Sequence, residues 1–85
     1  MPANAYNLFY EANINRAVVD LALRFHSENP CHDHLYRLER GTQEWIAIIL
    51  EWRMTIIGNS GLLDAAMVTL RETAEKLRQA LQGGE

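Results

Sequence analysis

All three histidines and the only cysteine of this 85-residue chain fall within nine positions, His26 to His34. Cysteine thiolate and imidazole are the usual ligands of zinc, and structural sites mostly use four of them. Cys31 and His34 stand at i,i+3, so on a helix they can share an ion, and His26 can fold across a turn to join them. A fourth ligand would have to come from Glu28, Asp33 or another subunit. His32 and His34 work against such a site, because residues two apart on a helix point about 200° away from each other. The plainer reading of His26, Cys31, His32 and His34 is helix-end residues and solvated histidines, with no metal and no cofactor. Cys31 beside histidines at a helix start is also a setting for a redox-sensitive thiol, and three histidines are the ingredients of a pH switch. Nucleophilic catalysis would further need an oriented base and an oxyanion pocket, which a thin helical bundle rarely supplies. His34-Leu35-Tyr36-Arg37 lacks the lysine and glycine expected just after a phosphotransfer histidine. No enzymatic role is expected.

The elements that carry this cluster are helical by periodicity. A first helix is expected over 5–28, capped by Asn4. Its apolar stripe is Tyr10, Ile14, Ala17, Val18, Leu21 and Phe25, and Asn13, Arg16, Asp20, Arg24 and Ser27 make the opposite face. Arg16, Asp20, Arg24 and Glu28 alternate in sign at i,i+4. Asn29-Pro30 breaks the helix, since proline disfavours the α conformation at the residue before it. The same pair can open a second helix as N-cap and first helical residue, with Asp33 in the first turn.

The second helix is expected over 30–57. Leu35, Leu38, Thr42, Trp45, Ile49, Trp52 and Ile56 follow a 3-4 spacing through three heptads, a coiled-coil-like seam. Ile46, Leu50 and Ile57 form a second apolar row, with Ala47 and Ile48 beside it. Gly41 lies inside this helix and costs about 1 kcal/mol relative to alanine, so a kink, a close crossing or a break is expected there. Gly58 is the stop signal. A third helix, over 61–81, follows a cap at Asn59 or Ser60. Its stripe is Leu63, Met67, Leu70, Ala74, Leu77 and Leu81. Arg71 with Glu75 and Glu72 with Lys76 are exposed pairs, and Gly83 ends the helix.

Short connections make sequential neighbours antiparallel. The expected fold is therefore a single all-α domain, 1–85, an up-down-up antiparallel three-helix bundle with long helices. The second apolar row exceeds what a thin bundle needs, so packing as a homodimer is expected.

Composition agrees with a folded, acidic protein. Hydrophobic residues make up 48% of the chain and the net charge is -3, which together argue against disorder. Seven of the eight basic residues are arginine and they are scattered, so no basic stripe points to nucleic acid. The longest wholly apolar run, Trp45 to Leu50, is far short of the ~20 residues that span a bilayer. Met1-Pro2-Ala3-Asn4 has no charged region leading into an apolar run, so no signal peptide is expected. A lone thiol suits a reducing compartment, and the expected address is cytoplasmic.

The function these features favour is a non-enzymatic helical interaction module or regulator: an adaptor, a chaperone-like protein or an inhibitor of a regulatory protein. Its expected partners are a second copy of itself and another protein, with neither nucleic acid nor membrane. The expected contact residues are Trp45, Ile49, Trp52, Arg53 and Ile56 on the second helix, and Tyr6 and Tyr10 on the first. The other reading is a metal- or redox-responsive regulator built on His26, Cys31, His32 and His34.

Overall fold

A computed structural model describes residues 4–55, 58 and 60–82. Three helices account for nearly all of them: α1, Ala5–Glu28; α2, His32–Arg53; and α3, Ser60–Gln82. The described residues contain no strand. The bundle is elongated, 44 × 20 × 17 Å, as expected when helices rising 1.5 Å per residue are this long.

The helix ends have local causes. Asn4 caps α1 as expected, its side-chain oxygen accepting the Asn7 N–H at 2.9 Å. At the other end the Asn29 N–H still donates to the Phe25 carbonyl before the chain turns. The start of α2 differs from expectation. Neither Asn29 nor Pro30 begins it. The Cys31 N–H donates to His26 Nδ1 at 3.1 Å, and the first helical bond runs from the Leu35 N–H to the Cys31 carbonyl. Cys31 is thus the N-cap, and its side chain makes no capping bond.

The end of α2 also differs. It stops at Arg53, where Met54 and Thr55 turn back with N–H bonds to the carbonyls of Glu51 and Trp52. The Thr55 hydroxyl donates to the same Trp52 carbonyl. This local bonding competes with continuation of the helix. Gly58 is therefore not the cap of α2. It lies in the connection to α3 with φ 88, a left-handed conformation that glycine adopts without a Cβ penalty. Ser60 opens α3 as its first helical residue. Ile56, Ile57, Asn59 and Gly83 lie outside the described residues.

Two hydrophobic clusters fix the topology. One joins Ala5, Leu8 and Ala12 of α1, Ile49 of α2, and Leu63, Ala66, Met67 and Leu70 of α3. The other joins Val19 and Ala22, Leu35, and Leu77. The N-terminal half of α1 therefore meets the C-terminal half of α2 and the N-terminal half of α3, which is the up-down-up order. The closest pair is nevertheless α1 with α3, and these two run parallel. Helix α3, rather than α2, is the element buried along its length, at Leu63, Ala66, Met67, Leu70, Thr73, Ala74 and Leu77.

The expected stripe of α3 is the one it buries, with Leu81 partly covered at its end. The α2 seam holds from Leu35 through Leu38, Thr42 and Trp45 to Ile49, and α2 runs through Gly41 as one helix. A methyl group at Gly41 would meet no atom within 4 Å, so no close crossing explains this glycine.

Helix α1 is turned the other way. It buries Ala5, Leu8, Ala12, Val19 and Ala22, and leaves Tyr10, Ile14, Ala17, Val18, Leu21 and Phe25 in solvent. The chain thus carries two apolar stripes on α1, and the smaller side chains face the core. Three of the five buried residues are alanines, and small side chains at a contact permit close approach of the helix axes. A polar bond sets the same rotation. Asn15 on α1 donates to Thr42 Oγ1 on α2 at 2.9 Å, and the Thr42 hydroxyl donates to the Leu38 carbonyl at 2.8 Å. No buried side-chain polar atom among the described residues lacks a partner.

The ion pairs also regroup. Asp20 pairs with Lys76 at 3.3 Å rather than with Arg16 or Arg24. Glu75 pairs with Arg78 at 2.8 Å rather than with Arg71. Arg53 on α2 pairs with Asp64 on α3. All are exposed, so solvent screens them and they contribute little to stability.

Candidate functional site: the exposed face of α1

Helix α1 is apolar on both sides. Tyr6, Tyr10 and Phe25 are 65%, 68% and 60% exposed, and Ile14, Val18 and Leu21 stand exposed between them. Spacings of four and three keep Tyr10, Ile14, Val18, Leu21 and Phe25 on one side of the helix. That side lies opposite the small-residue face packed on α3. An aromatic side chain offers about 150–250 Å², so the three aromatics alone present roughly 300–500 Å². The aliphatics add to this between them, and the face from Tyr6 to Phe25 runs along roughly 28 Å of helix. The largest apolar patch on a typical monomer is about 300–600 Å² and is often functional.

Glu11 borders this face on one side, and Asn13 and Arg24 on the other. The Asn13 amide is held by the Phe9 carbonyl at 2.9 Å. Phe9 itself packs against the first core cluster, so the N-terminal aromatic residues divide between core and surface.

The expected contact residues on α2 are dispersed. Ile49 is fully buried, at 0% exposure, and offers nothing to a partner. Trp45 packs against the same cluster as Ile49. Trp52 lies at the margin, 36% exposed, and Arg53 is held by Asp64. Ile56 lies outside the described residues. An open groove of about 390 Å³ between α2 and α3 is lined by Leu50, Arg53, Asp64, Met67, Val68 and Arg71, with charged residues making up half of the lining. Tyr6 and Tyr10 fall on the α1 face. Ile14, Val18, Leu21 and Phe25, expected as the packing stripe of α1, are instead exposed. The spacing of Ala5, Leu8, Ala12, Val19 and Ala22 is the signal that would have returned them to the surface.

The α1–α2 junction acts as a turn. His26 accepts the Cys31 N–H through Nδ1, and its ring meets that of His32 edge to face with centroids 5.1 Å apart. Cys31 is exposed, as is His34. Among the described residues no three His, Cys, Asp or Glu side chains come together to hold a metal ion. One nitrogen of His26 is occupied in tying α2 to α1, a structural task.

No described helix is long and apolar enough to cross a membrane. Compared with protein-family models, with curated proteins and with solved structures, the chain matches none, so its own geometry carries the functional reading.

Proposed function

We propose that this chain is a small non-enzymatic interaction module that docks onto protein through the exposed face of α1. The observation that carries the proposal is the continuous solvent-facing row Tyr10, Ile14, Val18, Leu21 and Phe25, with Tyr6 beside it. An amphipathic helix recognises protein through anchors at i, i+3, i+4 and i+7, laid against an apolar groove or another helix. Here the remaining face of the helix is already committed to α3, so docking need not disturb the fold. Tyrosine and phenylalanine are suited to the centre of such contacts. An adaptor, a chaperone-like protein or an inhibitor of a regulatory protein would each use a face of this kind. The expected homodimer belongs to the same reading, as self-association is one way to cover the face. A cytoplasmic setting suits the single exposed thiol, Cys31.

The test is affinity capture from cells with the unaltered chain and with Leu21→Arg, after circular dichroism has shown equal helicity. Loss of the captured proteins with Leu21→Arg, and their retention with Trp52→Ala, is the expected result. Capture unchanged by Leu21→Arg would remove α1 as the docking face.

A further inference from the structure

The α1 face has a symmetry that names one occupant. Counting from a point between Ala17 and Val18, the stretch from Tyr10 to Phe25 reads the same in both directions by side-chain class, and Tyr6 lies beyond it. Ile14 and Leu21 are equidistant from that point, as are Tyr10 and Phe25. We infer that the face pairs with the same face of a second copy, the two α1 helices running antiparallel. This rests on the reading of α1 as a protein-docking face.

In that arrangement, level side chains are those whose numbers sum to 35. Ala17 of one copy lies level with Val18 of the other, Ile14 with Leu21, and Tyr10 with Phe25. On the helical wheel the two members of each level pair sit on opposite sides of the seam's midline. They therefore meet in one layer across the two-fold axis, Ile14 and Leu21 close to the midline and Tyr10 and Phe25 farther to either side. The small pair Ala17 and Val18 falls at the two-fold axis, where helices approach most closely, and the aromatics fall at the ends, where crossing helices diverge.

A parallel, in-register pair would instead bring Glu28 against Glu28 at the edge of the seam, and would align the two helix dipoles unfavourably. In the antiparallel pair Glu28 lies level with Asn7, and Arg24 lies level with the Tyr10–Glu11 turn. The area is also sufficient. The three aromatics present roughly 300–500 Å², and Ile14, Val18 and Leu21 bring each copy to the scale of ~600 Å² per partner at which stable complexes begin. All six side chains stand exposed on the side of α1 away from α3, so a second copy approaches without displacing the bundle.

The experiment is the solution mass of the full chain by sedimentation equilibrium. The expected mass is twice the 9.7 kDa of one chain, and Leu21→Arg is expected to halve it with helicity unchanged. Orientation is read in a Cys31→Ser background by oxidising Asn7→Cys and Glu28→Cys variants. Each variant alone is expected to stay uncrosslinked, and their mixture to give a disulfide-linked pair. A single-chain mass at concentrations of hundreds of micromolar would overturn the inference. So would a double mass that survives Leu21→Arg, or crosslinking of either variant with itself. A monomer whose Leu21→Arg form still loses captured proteins would retain the docking face and remove only the self-pairing. A monomer with unchanged capture would remove both.

Discussion

Helices α1 and α3 are similar in length and lie against each other, yet their sequences constrain them differently. Helix α3 has one apolar stripe, Leu63 to Leu77, and its far side is largely charged, with Arg71, Glu72, Glu75, Lys76 and Arg78 exposed. Only one rotation about its axis buries the apolar side chains. Helix α1 has an apolar stripe on each side, one of small residues and one of large. Burial by area alone would favour the large one, which remains in solvent. A stripe is thus selected by fit to its neighbour as well as by hydrophobicity. On α1 the buried side is the one that packs its alanines in the core and gives Asn15 its Thr42 partner.

The largest test of this contrast is a pair of leucines. Leu70 of α3 is fully buried, so Leu70→Ala is expected to cost about 2–5 kcal/mol in urea unfolding. Leu21→Ala on the open face of α1, measured at dilution, is expected to cost less than about 1 kcal/mol. Equal losses would mean that α1 is rotated. Next comes size on the small face. Ala12 is 1% exposed against the first core cluster, and Ala12→Leu is expected to destabilise by about 1–3 kcal/mol through overpacking. Ala17→Leu on the opposite face should lie within about 0.5 kcal/mol of the parent at dilution.

The polar bond between α1 and α2 gives a smaller effect. Removing the Asn15 amide with Asn15→Ala is expected to cost about 1 kcal/mol. A double-mutant cycle with Thr42→Ala should recover a coupling of at least about 0.5 kcal/mol, and zero coupling would show that the bond does not set the rotation. On α2, Gly41→Ala is expected to stabilise by up to about 1 kcal/mol, since the methyl group has free space and the residue is helical. A lower melting temperature for Gly41→Ala would contradict this.

The smallest effect belongs to the charged side of α3. The Arg78 side chain donates a hydrogen bond to Glu75 and adds its charge, lowering the Glu75 pKa. A carboxylate lowered in the folded state stabilises the fold above its unfolded pKa, and that contribution is lost as pH falls through the folded pKa. Arg78→Gln is expected to move the Glu75 titration, followed by NMR, back up toward the ordinary carboxylate range.

Much of the architecture was legible without coordinates. The α1 limits follow from the Asn4 cap and the Asn29-Pro30 break. The α3 stripe follows from its spacing, and the up-down-up order from short connections. The end of α2 was less legible. The Thr55 hydroxyl bond to the Trp52 carbonyl stops the helix earlier than the apolar pattern suggests. The start of α2 depends on His26 accepting the Cys31 amide, a contact between residues that no spacing rule pairs. The candidate site was legible only at Tyr6 and Tyr10. Ile49, expected at a surface, became core, and Ile14, Val18, Leu21 and Phe25, expected in the core, became surface.

In the sequence by itself, local pattern was enough to place three helices in order, to set the limits of α1 and to pick the buried face of α3. Helical periodicity is a local property. Which side of α1 faces inward depends on residues far along the chain, on the α3 side chains packed against its alanines and on Thr42, 27 residues from Asn15. Close packing admits the small side chains of Ala5, Ala12 and Ala22 between two parallel helices, and leaves the tyrosines and Phe25 on the outside.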